Sequence, residues 1–310
     1  MKIEVRKLKP WMMPVAMIAG ALFHHSIGLL QPTVPYLIFT MLLIAFCKVR
    51  PGEFRVTRLS WSLLAVQLGG AAAAWFALKG VGVDVAQAAF ICILCPTATA
   101  APVVTGMLGG NVARLATYSI ISNIAAALAA PAFFALIGAH PELSFADGVL
   151  TIAAKVAPLI LLPLLIAFSL YKFAPRVHAR IAAYQSVSFY LWSVALIVAV
   201  GNSVTYIMGA DPGKIPEIIL IALVAAAVCV AQFALGRRIG AACGDKIAGA
   251  QGLGQKNTIL AIWMALSYLN PIASVGPAAY IVWQNTINSI QLYLRTRADA
   301  NISDGRRVNK

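Results

Sequence analysis

The sequence predicts an all-α polytopic membrane protein: ten transmembrane helices in two inverted five-helix repeats, with the fourth and ninth helices discontinuous. Three observations lead there. Hydrophobic residues make up 61% of the 310 residues and the mean hydropathy is +0.84. Apolar runs of about 20 residues, enough to cross a hydrocarbon core of about 30 Å, recur along the whole chain. Two of these runs are interrupted, five spans apart.

The spans fall at roughly 11–30, 33–48, 60–79, 84–108, 111–138, 146–173, 184–208, 215–240, 245–268 and 273–296. The basic N-terminus, Met1 to Pro10, resembles a signal peptide, but no Ala-x-Ala-like cleavage site follows and nine more spans do, so the first helix is expected to stay. Charge tests the count. With the N-terminus inside, one side carries Lys2, Arg6, Lys7, Lys9, Lys48, Arg50, Arg55, Arg58, Arg114, Lys172, Arg176, Arg180, Arg237, Arg238 and Lys246, and then the tail's Arg295, Arg297, Arg306, Arg307 and Lys310. The other side has Lys79 and Lys214, with Asp84, Glu142, Asp147, Asp211 and Glu217. That asymmetry is the positive-inside pattern of ten helices in a cell inner (plasma) membrane with both termini cytoplasmic. Repeat one covers about 11–138, repeat two about 146–296, and 297–310 is a cytoplasmic tail.

The formal charge of +14 does not indicate nucleic acid, because the basic residues sit in short loops rather than on one face. Cys47, Cys92, Cys95, Cys229 and Cys243 lie in or beside apolar runs and read as packing residues, not as metal ligands. No span offers a buried acid or a His-rich cluster, so an enzyme is not expected; Cys95 as a nucleophile lacks a base. His24 and His25 belong at an interface. Trp11, Trp61, Trp75 and Tyr206 fall near span ends, as aromatic belts do. All ten carboxylates fall in loops, tails or helix ends, leaving the two lysines within spans, Lys155 and Lys256, without a buried acid to pair with. Lys155 either snorkels to the outer interface along its stem or lines a cavity.

The fourth span contains Cys95-Pro96-Thr97-Ala98-Thr99-Ala100-Ala101-Pro102, in which two prolines interrupt the helix and threonines supply hydroxyls beside the freed carbonyls. The ninth contains Gly249-Ala-Gln-Gly252-Leu-Gly254-Gln255-Lys256-Asn257-Thr258, where three glycines weaken the helix and polar residues follow at membrane depth. An odd repeat length of five puts the second copy upside down, and interrupted helices at matching places in two halves point to a transporter site. Two half-helix N-termini aimed at one point, joined by Lys256, attract an anion. A phosphate-loop reading of Gly249 to Lys256 fails on spacing.

These residues resemble the bile acid:sodium symporter family. Cys95-Pro96-Thr97-Ala98-Thr99 is similar to the family's Cys-Pro-Gly-Gly-Thr and is followed by Gly110-Asn111-Val112-Ala113. Gly254-Gln255-Lys256-Asn257-Thr258 is similar to Gly-Met-Gln-Asn-Ser, and Trp283-Gln284-Asn285 to Trp-His-Asn. The resemblance implies crossing of the two broken helices, a panel of spans 1, 2, 6 and 7 against a core of spans 3–5 and 8–10, and alternating access. It places substrate at Thr97, Thr99, Lys256, Asn257, Thr258 and Asn285. The sodium sites depart from the family: its Ser-Asn pair falls on Ala101 and Pro102, its shared glutamate on Gly252, a glutamine on Lys256 and a helix-five serine on Leu115. Ser119 and Gln67 survive, with Gln255 beside them. A hard cation wants several oxygens, usually with a carboxylate.

The function expected is therefore secondary active transport of an organic anion, a small or amphipathic carboxylate, with Lys256 standing in place of sodium. No cofactor or metal is expected, and proton coupling is compatible with a buried lysine. The partners are the organic anion and the lipid bilayer. The alternative is a sodium-coupled symporter of bile-acid-like or other carboxylates, using Gln67, Ser119, Gln251 and Gln255.

Overall fold

A computed structural model describes residues 12–49, 52, 54–138 and 144–308. Trp11, Arg50, Glu142, the basic residues before position 10 and Lys310 lie outside these. Among the described residues the chain is mostly α-helical, with short 3-10 turns, connecting loops and one isolated bridge. Among the described residues six helical stretches are long and apolar enough to cross a membrane, one of them, His24–Phe46, containing a 3-10 turn. Val83–Leu94 and Thr258–Tyr268 are shorter apolar helices. Large apolar side chains such as Leu128, Leu136, Leu165, Leu223 and Val230 are exposed along these helices, a surface suited to lipid rather than water.

In chain order the helices are α1 (Met12–Leu22), α2 (His24–Ile27), α3 (Val34–Phe46), α4 (Arg58–Leu78), α5 (Val83–Leu94), α6 (Ala101–Leu108), α7 (Val112–Ile137), α8 (Phe145–Phe173), α9 (Pro175–Ala183), α10 (Gln185–Met208), α11 (Ile215–Ala242), α12 (Lys246–Gly254), α13 (Thr258–Tyr268) and α14 (Val275–Val308). The chain reverses through a 3-10 turn at Gly28–Thr33. Before the turn, Gly20 packs against Ile197 and Gly201 of α10, and His24 meets Thr205 further along. After it, Met41 and Lys48 share a cavity with Trp192, near the start of α10. α1 thus runs with α10 and α3 runs against it. Elsewhere α4 packs along α5, α7 along α8, and α11 along α12.

Side-chain caps mark several helix starts. Asn111, Ser144 and Asp245 each accept a backbone N–H of the turn that follows, the partners including Arg114, Asp147 and Ala248. α6 ends at Gly109, whose φ of 84° is the left-handed C-cap conformation.

Three expectations need correction. The helix that begins at Val275 does not end at 296; it continues to Val308 as one 34-residue helix, so residues expected as a tail are helical. Pro102 does not break a helix. It lies in the first turn of α6, where a missing N–H has no partner to lose, so it starts the second segment while Pro96 ends the first. Gly249, Gly252 and Gly254 do not unwind their helix either. All three are inside α12, which breaks only after them, and they are there for close packing. A Cβ on Gly249 would run into the backbone of Gly236 and Gly240 of α11, and one on Gly254 into the Phe233 ring.

Asp84 lies at a helix end as expected, in the first turn of α5, but it is buried there, 6% exposed. It pairs with Lys214 at 3.1 Å and accepts a hydrogen bond from the Asn270 side chain. The belt aromatics divide: Trp61 and Tyr206 are exposed, and Trp75 packs partly buried against the core.

Candidate functional site

Two breaks meet. Between α5 and α6 the chain is extended from Cys95, forced there by the proline that follows it. Between α12 and α13 it is extended at Gln255 (φ −96°, ψ 99°). These segments pair antiparallel at Thr97 and Lys256. Ala98 N–H donates to Gln255 O at 2.8 Å and Asn257 N–H to Pro96 O at 2.9 Å. Backbone groups that a continuous helix would have satisfied are thus satisfied between segments, which is what buried irregular backbone at membrane depth requires.

Side chains complete the crossing. Thr97 Oγ1 donates to Gly252 O and Lys256 Nζ donates to Ile93 O, each at 2.8 Å. Thr97 N–H donates to Ser122 Oγ on α7, and Lys256 N–H to Gln284 Oε1 on α14. Lys256 is 1% exposed and forms no ion pair with a carboxylate. Its ammonium meets the carbonyl end of α5, the negative end of that half-helix dipole. The amine is therefore a cap on a broken helix as well as a charge beside a cavity.

That cavity, about 260 Å³, lies where the N-termini of α6 and α13 converge. Ala98, Thr99 and Ala100 lead into one N-terminus, and Asn257 and Thr258 form the other. Lys256, Gln255, Gln284 and Asn285 line it too, with no acid in the lining. It extends to Lys48 beyond α3, where a further space of about 390 Å³ adjoins it at Thr99 and Lys48.

Of the residues expected to bind substrate, Thr99, Lys256, Asn257, Thr258 and Asn285 come together around this space. Thr97 does not line it: it is fully buried and its hydroxyl is committed to Gly252 O. Asn257 Oδ1 accepts from Leu260 N at 3.4 Å as the N-cap of α13, and Asn285 Nδ2 donates to Ile281 O. Lys48, Met41 and Trp192 went unrecognised in the sequence. Lys48 carries a signal, since it is the first basic residue past the second apolar run, but charge segregation accounts for it equally well.

No protein-family model matches the chain, and no curated protein matches it either.

The region that corresponds to sodium sites in the resemblance is filled. Gln67 Oε1 accepts from Tyr118 Oη at 2.9 Å and from Ser122 Oγ at 2.7 Å, while Gln67 Nε2 donates to Leu94 O. A Cβ on Gly252 would stand 2.9 Å from Leu63 Cδ1 and 3.0 Å from the Tyr118 ring, so no acidic side chain fits there without repacking. Ala101, Pro102 and Leu115 offer no side-chain oxygen, and Ser119 is nearly buried. At that place the side chains bring no carboxylate, and the Gln67 amide is already hydrogen-bonded. Among the described residues no three His, Cys, Asp or Glu side chains group as metal ligands.

Proposed function

We propose that this protein is a secondary transporter of organic anions, small or amphipathic carboxylates, working by alternating access without sodium. The observation that carries the reading is the cavity at the crossing: two half-helix N-termini and a buried lysine with no acid beside them. Such a cavity presents N–H groups and positive charge to a ligand, and a carboxylate answers both. Its apolar wall of Met41, Ile44 and Trp192 suits the ligand's hydrocarbon part.

The ten-span inverted repeat belongs to the same proposal, and paired contacts support it. Three pairs of hydrogen bonds at the crossing match between the halves: Thr97 with Lys256, Ser122 with Gln284, Ala98 N–H with Asn257 N–H. The bond from Cys95 Sγ to Asn257 O stands outside the pattern. At the far ends, Asp245 accepts from Asn111 N–H, and Asp84 from the Asn270 side chain. In this reading α1 to α3, α8 and α10 form the panel and the remaining spans the core. Both termini are cytoplasmic in the inner (plasma) membrane, and the cavity opens toward the cytoplasm at Lys48.

Uptake into liposomes of radiolabelled benzoate, glutarate and taurocholate tests it. Uptake of at least one is expected without a sodium gradient and is expected to fall at least tenfold in Lys256→Ala. A strict sodium requirement, or unchanged uptake in that variant, overturns it. The sodium-coupled reading has one observation on its side: the buried amide oxygens Gln251 Oε1 and Gln255 Oε1 have no hydrogen-bond partner. Sodium-dependent thermal stabilisation would favour it.

A further inference from the structure

α13 has a cavity at each end. Thr258 opens it in the cavity at the crossing; Ser267 and Tyr268 close it in a second cavity of about 150 Å³. At 1.5 Å per residue the two lie about 15 Å apart. The second cavity is walled by Ala135 of α7, by Ser144, Thr151 and Lys155 at the head of α8, and by the end of α13. Lys155 is exposed and, unlike Lys256, makes no hydrogen bond or ion pair among the described residues. No acidic side chain is among the described residues that line the space, the carboxylate of Asp147 being held by Ser144 Oγ.

Tyr268 supplies the independent observation. It is 5% exposed, stacked on Phe134 at 5.5 Å between ring centroids and edge-on to Trp263 at 5.8 Å. The ring is fixed, yet its hydroxyl is buried without a partner. The unpaired hydroxyl belongs to a ring that walls the same cavity as the Lys155 side chain, and a buried donor without a partner calls for one.

We propose that this cavity binds the carboxylate of a small organic acid, paired with the Lys155 ammonium and accepting a hydrogen bond from Tyr268 Oη. A cationic ligand meets no acid among the described lining residues, and a neutral one leaves the ammonium unpaired. A cavity of this volume accommodates a benzene-sized group, so benzoate is a suitable probe. The site does not depend on transport. Where the transport reading holds, it is the station on the opposite side of the membrane from Lys48.

The test uses the full chain in phosphatidylcholine liposomes. Cys243 is replaced by Ser, because the other four cysteines are buried, and a thiol is introduced as Thr151→Cys. Its modification by an anionic methanethiosulfonate is timed with and without benzoate. Benzoate is expected to slow the reaction at least threefold, with no slowing when Lys155→Met is added and less slowing with Tyr268→Phe. An unreactive thiol, absence of protection, or protection that survives Lys155→Met overturns the proposal. Protection by phosphatidylglycerol liposomes to which benzoate adds nothing also overturns it, assigning the site to a lipid headgroup. A parallel thiol at Ala98→Cys reports on the crossing, so loss of protection at one position separates the failure of this site from that of the transport reading.

Discussion

Thr97 and Lys256 face each other across the crossing, and each donates to a carbonyl at the end of the helix that leads to the other, Thr97 to Gly252 and Lys256 to Ile93. The exchange gives each half of the chain the donor that its own break removed. It also explains a lysine at membrane depth without an acid: the ammonium neutralises carbonyl dipoles rather than a carboxylate.

Lys256→Met is therefore expected to destabilise the protein as well as weaken anion binding. It leaves the Ile93 carbonyl unpaired in a buried place, which costs about 1–3 kcal/mol. A fall in melting temperature of purified protein without any ligand checks this. No change would mean that the amine contributes charge alone.

Gly252→Ala is expected to cost about 1–3 kcal/mol through overpacking against Leu63 and Tyr118, side chains with some room to yield. Thermal unfolding of the variant measures it. Sodium is expected to leave the melting temperature of Gly252→Glu unchanged, because Tyr118 and Gln67 already occupy each other.

Gly249→Ala is expected to be worse than Gly252→Ala. The atoms it meets are the backbones of Gly236 and Gly240, which cannot rotate away. Loss of the monodisperse peak on size exclusion is the outcome to look for, and a variant as stable as Gly252→Ala would contradict the packing described here.

Lys214, in the loop before α11, holds its proton more tightly than an ordinary lysine. The hydrogen bond and charge of Asp84 do most of this, followed by those of Glu217. Its folded pKa is raised, so the stabilisation is complete below the unfolded value of about 10.4 and is lost as pH rises through the folded value. The difference in melting temperature between the wild type and Lys214→Met should stay constant from pH 6 to pH 9 and shrink at strongly alkaline pH. With the lysine side chain 45% exposed, solvent screening keeps the effect below about 1 kcal/mol.

Much of this was legible in the chain because the signals are local. Pro96 lacks an N–H wherever it sits, and the helix stops before it. Apolar runs set the long helices by composition alone. The glycines of α12 were read as helix weakeners because a sequence shows backbone freedom but not what lies opposite; only α11, packed at backbone contact, reveals why they are small. Tyr118 filling the space beside Gly252 was equally hidden, since the two residues are far apart in the chain. Asp84 read only as a helix end, and its burial was hidden because its partners, Lys214 and Asn270, come from the other half.

The bonds at the two far ends carry a last consequence. Asp245 closes on Asn111, and Asp84 on Asn270, so the aspartate that opens each broken helix is answered by the half of the chain it does not belong to. Neither half is a finished object. Expressed separately, the first would leave Asp84 without its partners, and the second would keep Asp245 as a helix cap but lose its bond to Asn111. Each would recover its shape only by finding the other.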